Sequence, residues 1–211
     1  HMSQYMHYVI NDKHDNIWIA QREGRAKDSD DRTQESVLKM LNMGGPTPGK
    51  TTAEIIENLR NMNIVPLAIS YEYDPCDYLK AKEFQCKRDI PGWKKAKQDD
   101  LDNMKTGIWG KKGHVHYQAS ACINDWLDTL DPTAIDKADI YRLVAEHIDH
   151  EIHANYKIYD VNRDALAGKE NEYVESRVRM VDVEQPDVPF LREKIMTMYA
   201  NPLRNHEKAV Q

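Results

Sequence analysis

Four basic side chains, Arg22, Arg25, Lys27 and Arg32, crowd around the pair Glu23-Gly24. Guanidinium groups at that density suit a phosphate, which arginine grips bidentately, and a glycine lets a ligand approach the backbone closely. The competing account is a solvated loop in which the same cations pair with Asp28, Asp30 and Asp31. A second pattern, Gly44-Gly45-Pro46-Thr47-Pro48-Gly49-Lys50-Thr51, satisfies the phosphate loop of nucleoside triphosphatases. That loop needs a strand before it and a lining of backbone N–H groups. Here the preceding residues read as helix, and Pro46 and Pro48 each delete an N–H. Gly44-Gly45 stopping one helix, with Thr51 and Glu54 opening the next as a capping box, accounts for the same residues. His147, His150 and His153, with Glu151 between them, have helical spacing that would suit zinc. No cysteine or distant fourth ligand accompanies them, so a solvated helix face is the expectation and no metal is assigned. Residues 80–97 carry Lys80, Lys82, Lys87, Arg88, Lys94, Lys95 and Lys97 against Glu83 and Asp89. That local excess would suit an acidic carrier protein or anionic headgroups, with Trp93 at a membrane interface. The preferred account is a solvated helical face balanced by Asp99, Asp100 and Asp102.

The elements that must position these groups follow from periodicity. Residues 3–13 read as helix, and the β-branched and aromatic run Asn16-Ile17-Trp18-Ile19-Ala20 as a buried strand. The charged loop 21–33 would then leave the carboxyl end of that strand, where ligands bind in open α/β sheets. Helices are expected over 34–42 and 52–62. The apolar run at 64–70 reads as a strand of a parallel sheet covered on both faces. Two helices broken near Pro91-Gly92 should fill 77–105, and residues 114–118 form a third strand. From residue 131 onward the pattern is helical, with an apolar stripe of Ala138, Tyr141, Val144, Ile148 and Ile152 and further helices near 170–181 and 187–199. Strands separated by helices indicate an α/β class with an all-helical tail.

Length and composition bound what such a chain can be. Its 211 residues, 40% hydrophobic and 30% charged, suit one α/β domain with a helical appendage rather than a disordered chain. A net charge of −6 argues against a general nucleic-acid binder. The longest apolar stretch is six residues, far from the roughly 20 needed to span a bilayer. Cys76, Cys86 and Cys122 lack metal-ligand spacing and read as reduced thiols of a cytoplasmic protein. His1-Met2 looks like a vector-derived extension, and the abrupt start at Ser3 inside a helical pattern suggests a piece of a longer protein.

The segment Ile17-Trp18-Ile19-Ala20-Gln21-Arg22-Glu23-Gly24-Arg25-Ala26-Lys27-Asp28 resembles the third sequence block of the glycerol-phosphate and lysophospholipid acyltransferases, in which an apolar strand leads into a Glu-Gly-(x)-Arg segment. Asn63-Ile64-Val65-Pro66-Leu67-Ala68-Ile69-Ser70 is similar to the fourth block of that family, a Pro-containing apolar strand. Gly113-His114-Val115-His116-Tyr117 is similar to the strand that follows it. The resemblance covers residues 16 to about 120. It implies a partial acyltransferase-like sheet of about three strands covered by helices, with residues 1–130 the C-terminal portion of the α/β acyltransferase domain and 131–211 the helical tail. It implies an enzyme that moves a fatty acyl group from a thioester, coenzyme A or acyl carrier protein, to the hydroxyl of a phosphate-bearing glycerolipid.

By motif match, Glu23, Gly24 and Arg25 fall in the part that binds the acceptor phosphate, and Pro66 in the strand that shapes the acyl or acceptor site. Arg25 follows Gly24 directly, a departure from the commoner Glu-Gly-Thr-Arg, so the phosphate contact stays open among Arg22, Arg25 and Lys27. The family's His-x4-Asp block, a base and its orienting carboxylate, should lie several dozen residues earlier with a second block between. His7 and Asp12 have that spacing, but only ten residues separate Asp12 from Glu23, and the match is taken as chance. The chain is therefore expected to hold no catalytic residue and to be inactive alone. Self-association through uncovered apolar surface is expected, as are peripheral attachment to the inner membrane, no nucleic-acid partner and no metal or redox cofactor. The rival classes are a nucleotide-binding module using residues 44–51 and a non-catalytic lipid- or carrier-protein-binding domain.

Overall fold

The computed structural model describes residues 1–22, 24, 26–45 and 48–211. In chain order its elements are α1 (Met2–His7) running into a π-helical turn (Tyr8–Asp12), α2 (Glu35–Asn42), α3 (Thr52–Arg60), β1 (Leu67–Tyr71), α4 (Asp77–Asp89), α5 (Lys97–Trp109), β2 (Val115–Ala119), α6 (Asn124–Leu127), α7 (Ile140–Ala154), α8 (Asp160–Leu166), α9 (Glu172–Arg179) and α10 (Val188–Ala209). The mixed α/β class expected from the sequence is present, and no helix among the described residues is long and apolar enough to cross a membrane. The chain divides into two compact units. Unit 1 comprises His1–Arg25, Asp31–Ala68 and Gln118–Asn155, and unit 2 comprises Ala26–Asp30, Ile69–Tyr117 and Tyr156–Gln211.

In unit 1, α2 packs on α1, α3 and α7. The reason is spacing: Leu38 and Leu41 of α2, Ile55 and Leu59 of α3, and Ile140, Val144, Ile148 and Ile152 of α7 recur every three or four residues and are all buried. Each such side chain contributes roughly 1.5–3 kcal/mol by leaving water. The α7 stripe begins at Ile140, not at Ala138, which lies exposed before the helix starts. Thr51 and Glu54 form the anticipated capping box of α3: Thr51 Oγ1 accepts from Glu54 N at 3.3 Å, and Glu54 Oε2 accepts from Thr51 N at 3.0 Å.

In unit 2, α10 packs on α8, α4 and α9. Its buried face of Leu191, Ile195, Met198 and Tyr199 meets Ala81, Val161, Ala165, Val174 and Val178. Pro91-Gly92, with Gly92 at φ +74°, separates α4 from α5 as the sequence indicates.

The sheet departs from expectation in two ways. It holds two strands, β1 and β2, and they run antiparallel, with Ser120 N donating to Pro66 O at 3.0 Å and Glu72 N to His114 O at 2.9 Å. The parallel sheet covered on both faces that was expected for residues 64–70 is not found. Ala68 and Ser70 are buried on one side of β1, whereas β2 is exposed along most of its length. Residues 16–20 form no strand, and Trp18 is 72% exposed. An extended segment becomes a strand only with a ladder partner, and none pairs with it among the described residues.

Candidate functional site

The acceptor-phosphate candidates divide between the two units. Glu23 and Arg25 lie outside the described residues. In unit 1, Arg22 stands 3.7 Å from the carboxylate of Asp31, and Gly24 adopts φ +77°, a conformation that disfavours any side chain. The loop is then anchored to α7: Asp149 Oδ1 accepts from Thr33 N at 2.8 Å and from Thr33 Oγ1 at 2.7 Å, and His153 Nε2 meets Asp31 O at 3.3 Å. Pro66 is buried where β1 begins, and its carbonyl accepts from both Ser120 N and Ser120 Oγ.

In unit 2, Lys27 belongs to a cationic cluster that residue order alone did not reveal. Lys80, Glu83 and Lys87 recur on one face of α4 at three- and four-residue spacing. Segment 26–30 lies along that face. Lys27 forms an ion pair with Glu83, Lys87 Nζ stands 3.3 Å from the same carboxylate, and Lys80 Nζ bonds Asp74 Oδ2 at 2.6 Å and reaches Ala26 O at 3.5 Å. The far end of the segment is held by α10, through Asn201 Nδ2 to Asp28 O at 2.8 Å and Asn205 Nδ2 to Asp30 Oδ1 at 2.9 Å. Burial pushes the Lys27 ammonium down, against the hydrogen bond it donates to Glu83, which raises it. Burial would raise the Glu83 carboxyl, but the ammonium groups of Lys27 and Lys87 hold it below its ordinary value. Three ammonium groups thus meet the carboxylates of Glu83 and Asp74, and Asp28 and Asp30 lie on the same segment, so the cations are balanced beside a backbone fixed at both ends. An anion could be contacted here only by exchange with one of these carboxylates. The cluster contains no nucleophile.

The other motifs are committed elsewhere. In the 44–51 pattern, Pro46 and Thr47 lie outside the described residues. Each described N–H of that stretch has a protein acceptor: Gly44 to Leu41 O, Gly45 to Asn42 O, Gly49 to Asn42 Oδ1, and both Lys50 and Thr51 to Glu54 Oε2. A carboxylate therefore occupies the donors that a nucleotide phosphate would need. Asn58 Nδ2 in turn donates to Asn42 Oδ1 at 2.9 Å, and Asn42 Nδ2 to the Tyr141 hydroxyl at 2.9 Å. His7 is buried with Nε2 2.8 Å from Leu41 O, so its ring fastens α1 to α2. His147 stacks on Trp126 at 3.9 Å between centroids, His150 is exposed and His153 holds the loop carbonyl. No group of three or more potential metal ligands occurs among the described residues.

Sequence reasoning also missed a buried carboxylate in unit 2. Asp77, at the start of α4, is 0% exposed and accepts four hydrogen bonds: Tyr78 N at 2.7 Å and Arg177 Nε at 2.6 Å on Oδ1, the Tyr199 hydroxyl at 2.7 Å and the Tyr173 hydroxyl at 3.3 Å on Oδ2. Arg177 Nη2 also donates to Pro75 O at 2.8 Å. Burial pushes the Asp77 carboxyl up, and the Arg177 guanidinium and the Tyr199 hydroxyl oppose it. The cluster joins α4, α9 and α10 and has no open face toward a ligand.

Two open clefts, of about 330 Å³ in unit 1 and about 320 Å³ in unit 2, are lined by neither the Lys27 cluster nor Pro66. In comparisons with protein-family models, curated proteins and solved structures, nothing matches the chain.

Proposed function

We propose that this chain is the acceptor-holding part of a glycerolipid acyltransferase. In that chemistry a lipid hydroxyl oxygen attacks a thioester carbonyl carbon, the C–S bond breaks, the acyl group passes to the hydroxyl and the thiol departs with a proton. The share of this chain is to fix the phosphate of the acceptor through Lys27, beside Lys80 and Lys87 of α4, so that its hydroxyl is oriented for attack; orientation of that kind supplies a large part of a barrier reduction. The base is not assigned to His7 and Asp12, because the His7 imidazole is committed to Leu41. The donor is an acyl thioester of coenzyme A or of a carrier protein.

One observation carries the reading. The Pro66 segment and the 113–117 segment, which resemble consecutive strands of that family, contribute to β1 and β2, which are neighbours in one sheet flanked by the bonds Ser120 N to Pro66 O and Glu72 N to His114 O. The gathering of the Lys27, Lys80 and Lys87 ammonium groups supports it by offering cations that an anion could contact. Isothermal titration with glycerol 3-phosphate tests the proposal. Binding is expected, weakened about tenfold in Lys27→Ala by loss of a charge-assisted contact, and strengthened in Glu83→Gln, which removes a competing carboxylate. Binding of Mg-ATP with no response to glycerol 3-phosphate would replace this reading with the nucleotide-binding one.

A further inference from the structure

Helix α5 turns the usual amphipathic arrangement outward. Its inner face is small and polar. Asn103 is buried, its carbonyl accepts from Cys76 Sγ at 3.4 Å, and Gly107 faces the same sulfur. The opposite face carries Leu101, Met104 and Ile108, at three- and four-residue spacing, and these are 52%, 56% and 66% exposed. Trp109 follows at 78%. A globular helix normally buries such a stripe. Here the apolar side chains form a continuous exposed line on a helix about 20 Å long.

The charges around the line identify what covers it. Between residues 94 and 112 the chain has six lysines and three aspartates, a surplus of positive charge in a protein of net charge −6. Lys97 stands on the stripe itself, one turn before Leu101, and Lys105 flanks it; both are exposed. The aspartates have partners of their own: Asp99 caps Ala96 N at 2.9 Å, Asp102 accepts from Gln98 Nε2 at 3.0 Å, and Asp100, one turn before Met104, pairs with Lys95 at 2.8 Å. Apolar side chains that enter the acyl boundary, lysines long enough to reach anionic headgroups and a tryptophan at the helix end are the features of a helix lying in a bilayer interface. A second copy of this chain would bring an apolar line of equal length, but it would bring the same lysines to that line rather than a counter-charge. An anionic bilayer supplies both.

We propose that α5 is a docking element for an anionic membrane surface, with Leu101, Met104, Ile108 and Trp109 inserted and Lys97 and Lys105 on the headgroups. The inference stands on α5 alone and does not require the acceptor-phosphate reading. Co-sedimentation with phosphatidylglycerol-containing vesicles tests it, with pure phosphatidylcholine vesicles as the comparison. Association is expected to be about tenfold or more stronger with the anionic vesicles and to weaken as salt is raised. The double variant Leu101→Glu/Ile108→Glu should abolish it. Met180→Glu, which alters an exposed apolar residue after α9, should leave it intact. Two exposed positions tolerate glutamate, and unchanged circular dichroism would confirm that folding is retained. Failure of the wild-type chain to associate, or association unchanged in the double variant, overturns the proposal. So does a dimer in sedimentation equilibrium that the double variant dissolves without any vesicle association, since the stripe would then cover a second copy.

Discussion

Removing the Asp77 carboxylate would leave the Arg177 guanidinium beside Tyr78 and Tyr173 without its anionic partner, with the Pro75 carbonyl and the Met180 thioether as its acceptors. An ion pair broken on one side in a buried setting costs about 3–5 kcal/mol, so Asp77→Ala should lower unfolding stability by that amount in urea. Tyr199→Phe removes a single donor and should cost about 1–2 kcal/mol. Equal stability of wild type and Asp77→Ala would show that the cluster is not what holds α4, α9 and α10 together. Glu72 gives the pH dependence. The His114 backbone N–H and then its ring hold the Glu72 carboxyl below its ordinary value. A depressed carboxylate contributes stability that is complete above the unfolded value, about 4.3, and is lost as pH falls through the folded value. The stability difference between wild type and Glu72→Gln should therefore shrink on acidification below pH ~4.3, and a difference that grew instead would contradict the assigned pairing.

At the scale of elements, Thr51→Ala removes the acceptor that caps α3 and should cost about 1 kcal/mol in thermal or urea unfolding. Gly45→Ala should also destabilise, since its methyl group would overlap an Asn58 amide that is already bonded to Asn42. These two sites also mark what a sequence makes legible. The capping box, the Pro91-Gly92 break and the stripes of α2, α3 and α7 are local patterns, set by residues three or four apart, and they were readable in advance. Residues 16–20 have the composition of a strand, but strand formation depends on a distant partner, which composition does not specify. The same reason hid the site's neighbours: Lys27 meets Glu83 across 56 residues and Asp77 meets Arg177 across 100. A helical wheel of α4 would have aligned Lys80, Glu83 and Lys87. Nothing local would have brought Lys27 to them.

Over the whole molecule, a net charge of −6 repels anionic ligands and surfaces at long range, so any attraction has to be concentrated. Unit 2 gathers lysines twice, at Lys27 with Lys80 and Lys87 among the carboxylates of Asp74 and Glu83, and along the 94–112 segment. The first is built on a pinned backbone and suits a single small anion, whereas the second is spread along an exposed helix and suits an extended surface. That difference predicts separable salt responses. Vesicle association should fall with ionic strength, while headgroup binding beside the half-buried Lys27 should fall less. The central claim is that an anionic headgroup is held by the stretch around Lys27. Backbone amide shifts recorded while glycerol 3-phosphate is added test it most directly. The account predicts that the largest changes fall in residues 26–30 and on the Lys80, Glu83 and Lys87 face of α4; changes confined to residues 44–51, or none at saturating ligand, would contradict it.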